Sequence, residues 1–431
     1  MENKAYRESL VWKTLLNIAC LLLAVVFIFS GFVKAVDPLG TFYKINDYAV
    51  AFGWGGVFPK SLLLLLSIVL CSLEFVIGVM LLFRVRERIS SLLALLFMAF
   101  MTPLTLYLAL TNPISDCGCF GDALILTNWQ TFFKNVVLLT AAIFVYIGKD
   151  GLERIVSLLK DWMISSWASV FALGICMYSL YYIPMIDFRP YKIGVNIPEA
   201  MSFPEDAEAS VFDTRFLMEK DVEKKDFTLD NYPDSTWTFV ETRTILVKQG
   251  YEPPIHDFSL MNMETGEDET DEVLSRSGYS FMMVTHRVGD ADESNVDLIN
   301  EIYDYSMRYG YDFFAVTSSP EKDIEVWKEE TGAEYPFYMS DDIALKTIVR
   351  SNPGLLLLKD GTILNKWSVN NLPDEFELTD ALDKIALGKQ KVVSNGWTVF
   401  VLFLIFVTPL MLIVGHDVWK KFREKKKVMD E

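Results

Sequence analysis

The sequence predicts an all-α helical bundle embedded in a membrane, with an α/β extracytoplasmic domain inserted into it. Three observations carry that prediction. Hydrophobic residues make up 52% of the 431 positions, and they gather into runs long enough to cross a bilayer. The net charge of −18 is unevenly placed: residues 191–393 hold 41 acidic and 19 basic side chains, net −22, leaving +4 for everything else. Within that acidic stretch, strand-like runs alternate with helical periods, as in an α/β fold. The bundle implies lipid as a partner. The acidic domain excludes nucleic acid, whose binding needs basic surface. Five cysteines are too few for a disulfide framework.

Six segments are long enough to span: roughly 12–33, 61–83, 88–110, 129–148, 165–186 and 394–415. Basic residues cluster at Lys4, Arg7 and Lys13, at Arg84, Arg86 and Arg88, at Lys149, Arg154 and Lys160, and at Lys420 to Lys427. If all six segments span, these clusters share one side, which the positive-inside rule makes the cytoplasm. Both termini are then cytoplasmic. Loop 34–60, loop 111–128 and the acidic domain face the opposite, periplasmic side of a bacterial inner membrane. Segment one lacks a clean small-x-small exit, so it reads as a retained span and not a cleaved signal. Loop 34–60 carries Tyr43, Tyr48, Phe52, Trp54 and Phe58; it reads as an interfacial aromatic belt, with a re-entrant lid as the alternative.

The rest of the chain divides into a β-rich subdomain at 187–250, an α/β domain at 251–393, and a last span with a basic tail at 394–431. The membrane part is 1–186. In the α/β domain the expected order is a strand at 281–286, a helical period through Val296, Ile299, Ile302 and Met307, and a strand at 311–317. Then come helices near 320–331 and 342–350 around a short strand, a hairpin at 355–367, and a final helix near 373–387.

The covalent chemistry available to this chain is concentrated at 115–122, Ser-Asp-Cys-Gly-Cys-Phe-Gly-Asp. Cys117 and Cys119 can close on each other, although so small a ring strains the bond. Gly118 relieves the strain by reaching backbone angles closed to other residues. A strained disulfide is a ready electron acceptor in an oxidising compartment. Against this, Asp116 and Asp122 flank the pair, and negative charge disfavours the attacking thiolate. Lys134 offsets them if it points at the loop. The pair is therefore redox-active, a structural clasp, two reduced thiols, or a soft-metal site, the last lacking a histidine or third thiol. Cys20, Cys71 and Cys176 lie within spans, where small apolar packing is their ordinary role. Glu74 lies mid-span, where a carboxyl is expensive unless protonated or partnered. Its readings are a functional carboxyl or a protonated acid bonded to a neighbouring helix, and Cys20 has a similar depth. Asp187 and Arg189 read as a local ion pair orienting the soluble domain.

Two resemblances extend these readings. Ser351-Asn352-Pro353-Gly354 before a leucine run and Lys359-Asp360-Gly361 resembles the thioredoxin fold in its TlpA and peroxiredoxin-like form, over about 251–388. That resemblance implies a cis Pro353 beside a peptide groove. The family's redox pair would fall at 286–294, where there is no cysteine, so no thiol mechanism carries over. His286 marks the vacant place and reads as structural. In the membrane part, Ser30-Gly31-Phe32-Val33-Lys34, Glu74 and Asp116-Cys117-Gly118-Cys119-Phe120-Gly121 resemble the DoxX/MauE family over about 12–148. That resemblance implies a four-helix core and an association with sulfur or redox chemistry, or with maturation of disulfide-bearing exported proteins. The joined architecture is similar to DoxX-type envelope proteins of Bacteroidetes-like bacteria.

The expected function is that of an inner-membrane redox-associated protein supporting thiol-disulfide exchange or the maturation of exported proteins, with Cys117 and Cys119 exchanging disulfides with an exported client or a thioredoxin-like redox partner. Whether it is itself a thiol-disulfide oxidoreductase stays open at this point. The alternative is a non-catalytic scaffold or assembly factor whose soluble domain binds a partner protein. A transporter is a third reading, with only Glu74 and Lys134 as ionisable groups in the spans and no inverted repeat. No cofactor motif is evident. A quinone-coupled relay would call for a second thiol pair near the first, which the sequence lacks.

Overall fold

The structure, a computed structural model, describes residues 10–430 except 115, 205–206, 209–210, 221–222, 229–230, 235 and 249. Lys4, Arg7 and Ser115 lie outside the described residues. Six helices are long and apolar enough to span: α1 (Leu10–Val36), α3 (Lys60–Phe83), α4 (Glu87–Thr111), α5 (Asn128–Gly148), α6 (Asp161–Tyr181) and α10 (Asn395–Asp430), whose span covers Asn395–Asp417. Between α1 and α3 lies α2 (Pro38–Ala51). The fifth helix ends at Tyr181, short of the expected 186.

Segment 34–60 is therefore not a loop. Helix α1 continues through Lys34 to Val36, and α2 follows at once. Asp37 caps α2 by accepting a hydrogen bond from Gly40 N, and Pro38 fills the first turn, where a missing N–H costs nothing. The aromatic composition of this stretch had masked that start signal.

Helix α1 packs on α3 and α5, α4 on α5, and α6 on α3. The tightest crossing is α1 against α3. A Cβ added at Gly31 would lie 2.3 Å from Phe75 N, and one at Gly78 would lie 2.6 Å from Ile28 N. Small residues that let backbones approach are how helices associate in lipid, where burial alone gives no drive. This crossing brings the C-terminal half of α1 against the middle of α3. At the opposite end, Arg154 bridges Glu87 and Asp161 at 2.9 Å each, and Lys160 meets Asp417 at 2.7 Å.

The soluble part holds two sheets. Strands β1 (Val211–Lys220), β2 (Glu223–Phe227) and β3 (Thr238–Lys248) form an antiparallel sheet in the order β2-β1-β3. The larger sheet contains β4 (Met261–Asn262), β5 (Tyr279–Thr285), β6 (Asp312–Thr317), β7 (Phe337–Met339), β8 (Gly354–Lys359) and β9 (Thr362–Ser368), in the order β4-β7-β6-β5-β8-β9. Strands β5, β6 and β7 are parallel, joined by α7 (Val296–Tyr309) and α8 (Glu321–Thr331); β8 and β9 are antiparallel. Helix α9 (Asp342–Ile348) precedes β8, and the Asn352–Pro353 bond is cis. This arrangement is thioredoxin-like.

The central strands read as unbroken apolar runs because both faces are covered. Phe281, Met283, Leu355 and Leu357 face α7 and α8, while Met282, Val284, Leu356 and Leu358 pack with Leu345 and Ile348 on the other face. The expected helix near 373–387 does not form; this stretch runs through turns to a 3-10 turn at Ala386–Gly388. Leu382 alone in its middle is fully buried, too little for an amphipathic face.

Candidate functional site

The dithiol loop is held from its ends inward. Thr127 and Gln130 form a reciprocal capping box that starts α5. Asn128 donates to Asn112 Oδ1 and Ile114 O, both at 2.8 Å, closing the loop at its base. Within the loop Gly118 has φ +66°, and its amide donates to Asp116 Oδ1 at 2.8 Å. A Cβ at Gly118 would lie 2.9 Å from Lys44 Cγ. Glycine thus serves twice here, for its left-handed backbone and for the approach of α2.

The two sulfurs are 2.8 Å apart. Cys117 is buried and Cys119 half-buried. Ser30 Oγ donates to Cys119 O at 2.6 Å, and Tyr48 Oη donates to Cys117 O at 3.0 Å. Helix α2 is therefore the cover of the dithiol loop.

The flanking carboxylates do not weigh against thiolate chemistry as their sequence positions suggested. Lys44 Nζ meets Asp116 at 2.7 Å. Arg350 Nη2 meets Asp122 at 3.1 Å and Asp37 at 2.8 Å. Both aspartates next to the cysteines are ion-paired, one from α2 and the other from the thioredoxin-like domain. Lys134 Nζ stands 4.2 Å from the centre of the Phe120 ring, a cation–π contact beside Cys119. The hydrogen bond shared with Cys117, with Lys134 and Lys34 adding to it, holds the Cys119 thiol below the ordinary thiol range against the opposing effect of burial. The same hydrogen bond, together with burial, pushes Cys117 well above the ordinary thiol range. The half-buried Cys119 is the more acidic of the two, as an attacking or leaving thiol needs.

Glu74 is not partnered by Cys20, whose sulfur lies 3.5 Å from Leu81 O. Its partner is Lys34, with Nζ 2.7 Å from Oε2 and both side chains 6% exposed. The pair lines a crevice of about 20 Å³ with Ser30, Cys119, Lys134 and Asn135. Sequence reasoning missed Lys34 because it was counted in a loop.

The soluble domain closes over this end of the bundle. A cavity of about 320 Å³ lies between α9 and the dithiol loop, lined by Gly118, Gly121, Asp122, Lys346 and Arg350 among others. A second, of about 460 Å³, holds His286 and Asn352 on one side and Phe42, Tyr43 and Asn46 of α2 on the other. Tyr43, Asn46, Lys346 and Arg350 line both cavities. Pro353 itself is buried, and the space beside it faces α2. At the vacant redox position, Asn352 Nδ2 donates to Arg287 O at 3.0 Å and Asp292 N donates to Asn352 O at 2.8 Å. Burial, helped by Lys346, pulls the His286 imidazole down to about 4. Asp187 and Arg189 pair at 2.8 Å, and the buried Lys366 joins them at 3.0 Å from Asp187. Among the described residues no group of three metal-ligating side chains occurs.

Comparison with known proteins agrees with the membrane half. The family model "Methylamine utilisation protein MauE" matches residues 12–148, and "Domain of unknown function (DUF8463)" matches residues 212–249. Curated proteins give no match. Among solved structures, the thioredoxin domain of a thiol-disulfide oxidoreductase from Bacteroides vulgatus is 14% identical, with 25% of this chain and 81% of that chain covered and a TM-score of 0.22. An uncharacterized conserved protein from Geobacillus kaustophilus is 17% identical, covering 32% and 82%, TM-score 0.24. A putative protein disulfide isomerase from Bacteroides thetaiotaomicron is 15% identical, covering 27% and 77%, TM-score 0.22. Residues 12–148 thus match the MauE family model, and in this chain that membrane stretch is joined to a domain of thioredoxin-like topology that lacks cysteine.

Proposed function

We propose that this protein is an inner-membrane thiol-disulfide exchanger whose Cys117–Cys119 pair works on the periplasmic side, on an exported client. The periplasmic assignment is supported by the basic clusters at the other end of the bundle. A client thiolate attacks the Cys119 sulfur of the oxidised pair, the Cys117–Cys119 bond breaks, and Cys117 leaves and takes up a proton. The client's second thiolate then displaces Cys119. The client is oxidised by two electrons to a disulfide and the pair is left as a dithiol. The disulfide of a thioredoxin-like partner takes those two electrons and restores the pair.

One observation carries this reading: the half-exposed, acidified Cys119 lies within bonding reach of Cys117, and both neighbouring carboxylates are ion-paired. Lys134 supports it as a nearby cation. The space beside Pro353 is the candidate client groove. Thiol trapping in intact cells tests the reading. Cys117→Ser is expected to accumulate a mixed disulfide on Cys119, and Cys119→Ser much less. If neither variant traps a partner and the native pair never changes redox state, the exchanger is excluded.

A scaffold or assembly factor is the second reading. It is favoured by the vacant redox position, where backbone and Asn352 close on each other. Full function in a double Cys117/Cys119→Ser variant supports it over the first.

A further inference from the structure

A buried ion pair is an expensive way to hold two helices together. Removing two charges from water costs several kcal/mol per ion, and well-packed apolar residues often do as well. Within a span the cost is larger still, and such groups mark function more often than structure. Lys34 and Glu74 meet at 2.7 Å in the same crevice that Cys119 lines. The groups lining this crevice with Cys119 are Ser30 and Lys34 from α1, Glu74 from α3, and Lys134 and Asn135 from α5. Cys117 faces it from its own loop, and α2 adds Tyr48 at the Cys117 carbonyl and Lys44 on Asp116. Helix α4 contributes the apolar Phe97, Met98 and Met101. Among the described residues, Glu74 is the one carboxylate that lines the crevice. The crevice that Cys119 and Glu74 both line is about 20 Å³, large enough for one water molecule.

We propose that Glu74 accepts the proton of Cys119 and that Lys34 is the fixed counter-ion of whichever of the two is ionised. The step is Cys119–SH plus Glu74–COO⁻ giving Cys119–S⁻ plus Glu74–COOH. One proton moves, no electrons move, and the trio with Lys34 is neutral before and after. That neutrality is the physical advantage. Ionising Cys119 beside an ionised Glu74 would create an extra charge in a medium that screens it poorly; passing the proton to Glu74 creates none. Lys134, which sits over Phe120, adds a second cation on the thiol side of the crevice and favours the thiolate form. The inference rests on the exchange reading, because it assigns the thiolate that exchange requires.

The test reads ionisation and not exchange, so it can fail while trapping succeeds. In a Cys117→Ser background of the full chain, iodoacetamide labelling of Cys119 is followed against pH by peptide mass spectrometry. This separates it from Cys20, Cys71 and Cys176. Lys34→Gln is expected to raise the labelling midpoint by at least one unit, cutting the rate at pH values below the parent midpoint about tenfold or more. Glu74→Gln is expected to lower it. Because either single change can unfold the bundle, the neutral double variant Lys34→Gln/Glu74→Gln is run beside them, with a midpoint expected near that of an ordinary thiol. In the chain with both cysteines, reduction of the pair is expected to produce an infrared band of a protonated carboxyl that Glu74→Gln abolishes. A labelling midpoint unmoved in the folded double variant, or reduction without that band, overturns the proposal.

Discussion

Two places in this molecule bear on the proposed thiol chemistry, and each lacks what the other has. The thioredoxin-like domain has the strand order, the cis Asn352–Pro353 bond and the adjoining space, but no cysteine at 286–294. The membrane loop has two sulfurs 2.8 Å apart but sits under α2. They meet at Arg350. This side chain leaves the chain three residues before Pro353 and ends between Asp37 and Asp122. The difference teaches that a fold and its usual chemistry separate cleanly: the groove depends on backbone topology, the reactivity on a few side chains and their counter-charges.

Breaking the contact between the two regions is the largest perturbation available. Arg350 is 6% exposed and pairs with two carboxylates. Removing one member of a buried pair leaves uncompensated charge, which costs about 3–5 kcal/mol. Arg350→Ala is therefore expected to loosen the docking of the soluble domain while leaving its own core intact. Hydrogen exchange at α2 and at residues 116–127 is expected to rise about a hundredfold, with the amides of β5 and β8 unchanged. Exchange at α2 within twofold of the parent chain would show that Arg350 does not hold the two regions together.

How much of this was legible in the sequence follows from which interactions are local. The spans, the α/β domain and the place of Pro353 could be read because periodicity and a short proline motif encode them, whereas the cis geometry of the Asn352–Pro353 bond is not visible in residue order. Cys117, Cys119 and Glu74 stood out because thiols and mid-span carboxyls are conspicuous. Their partners did not. Arg350 reaches Asp122 across 228 positions and Lys34 reaches Glu74 across 40, and no local pattern announces such pairs. The loop's unfavourable charge was accordingly misjudged, since counter-charges from elsewhere cannot be seen in the residues beside it. The α2 start could have been found: Asp37-Pro38 is an N-cap signal that the surrounding aromatics outweighed.

His286 gives a smaller effect and sharpens the contrast at the vacant redox position. Its ordinary value is 6.5 and burial lowers it to about 4 in the folded chain. Between those values the unfolded chain binds the proton and the folded chain does not, so stability rises with pH across that window. The stability is whole above about 6.5 and falls as pH drops toward 4. With its partial exposure discounted, the loss is about 2 kcal/mol. Comparison of His286→Gln with the parent isolates this from the carboxylates that also titrate. Exchange at the β5 amides, read at each pH, is expected to show the parent losing that much more than the variant between pH 7 and about pH 4.5. Equal losses in both would mean that His286 is solvated and that the vacant position is open to water.

The smallest effect lies at the same interface and shows why Arg350 matters. Lys60 and Asp290 also join the membrane part to the soluble domain, at 2.7 Å, but their side chains are 72% and 41% exposed. In high dielectric such a pair is worth at most about 0.5–1 kcal/mol, and salt screens it further. Lys60→Ala is therefore expected to change exchange at α2 by less than about fivefold, and that small change is expected to vanish in high salt. The two ion pairs have similar lengths and join the same two regions, so distance alone would rank them together. Burial separates them. If Lys60→Ala instead loosened α2 as far as Arg350→Ala, the docking would depend on net charge across the interface and not on the desolvated contact beside the dithiol loop.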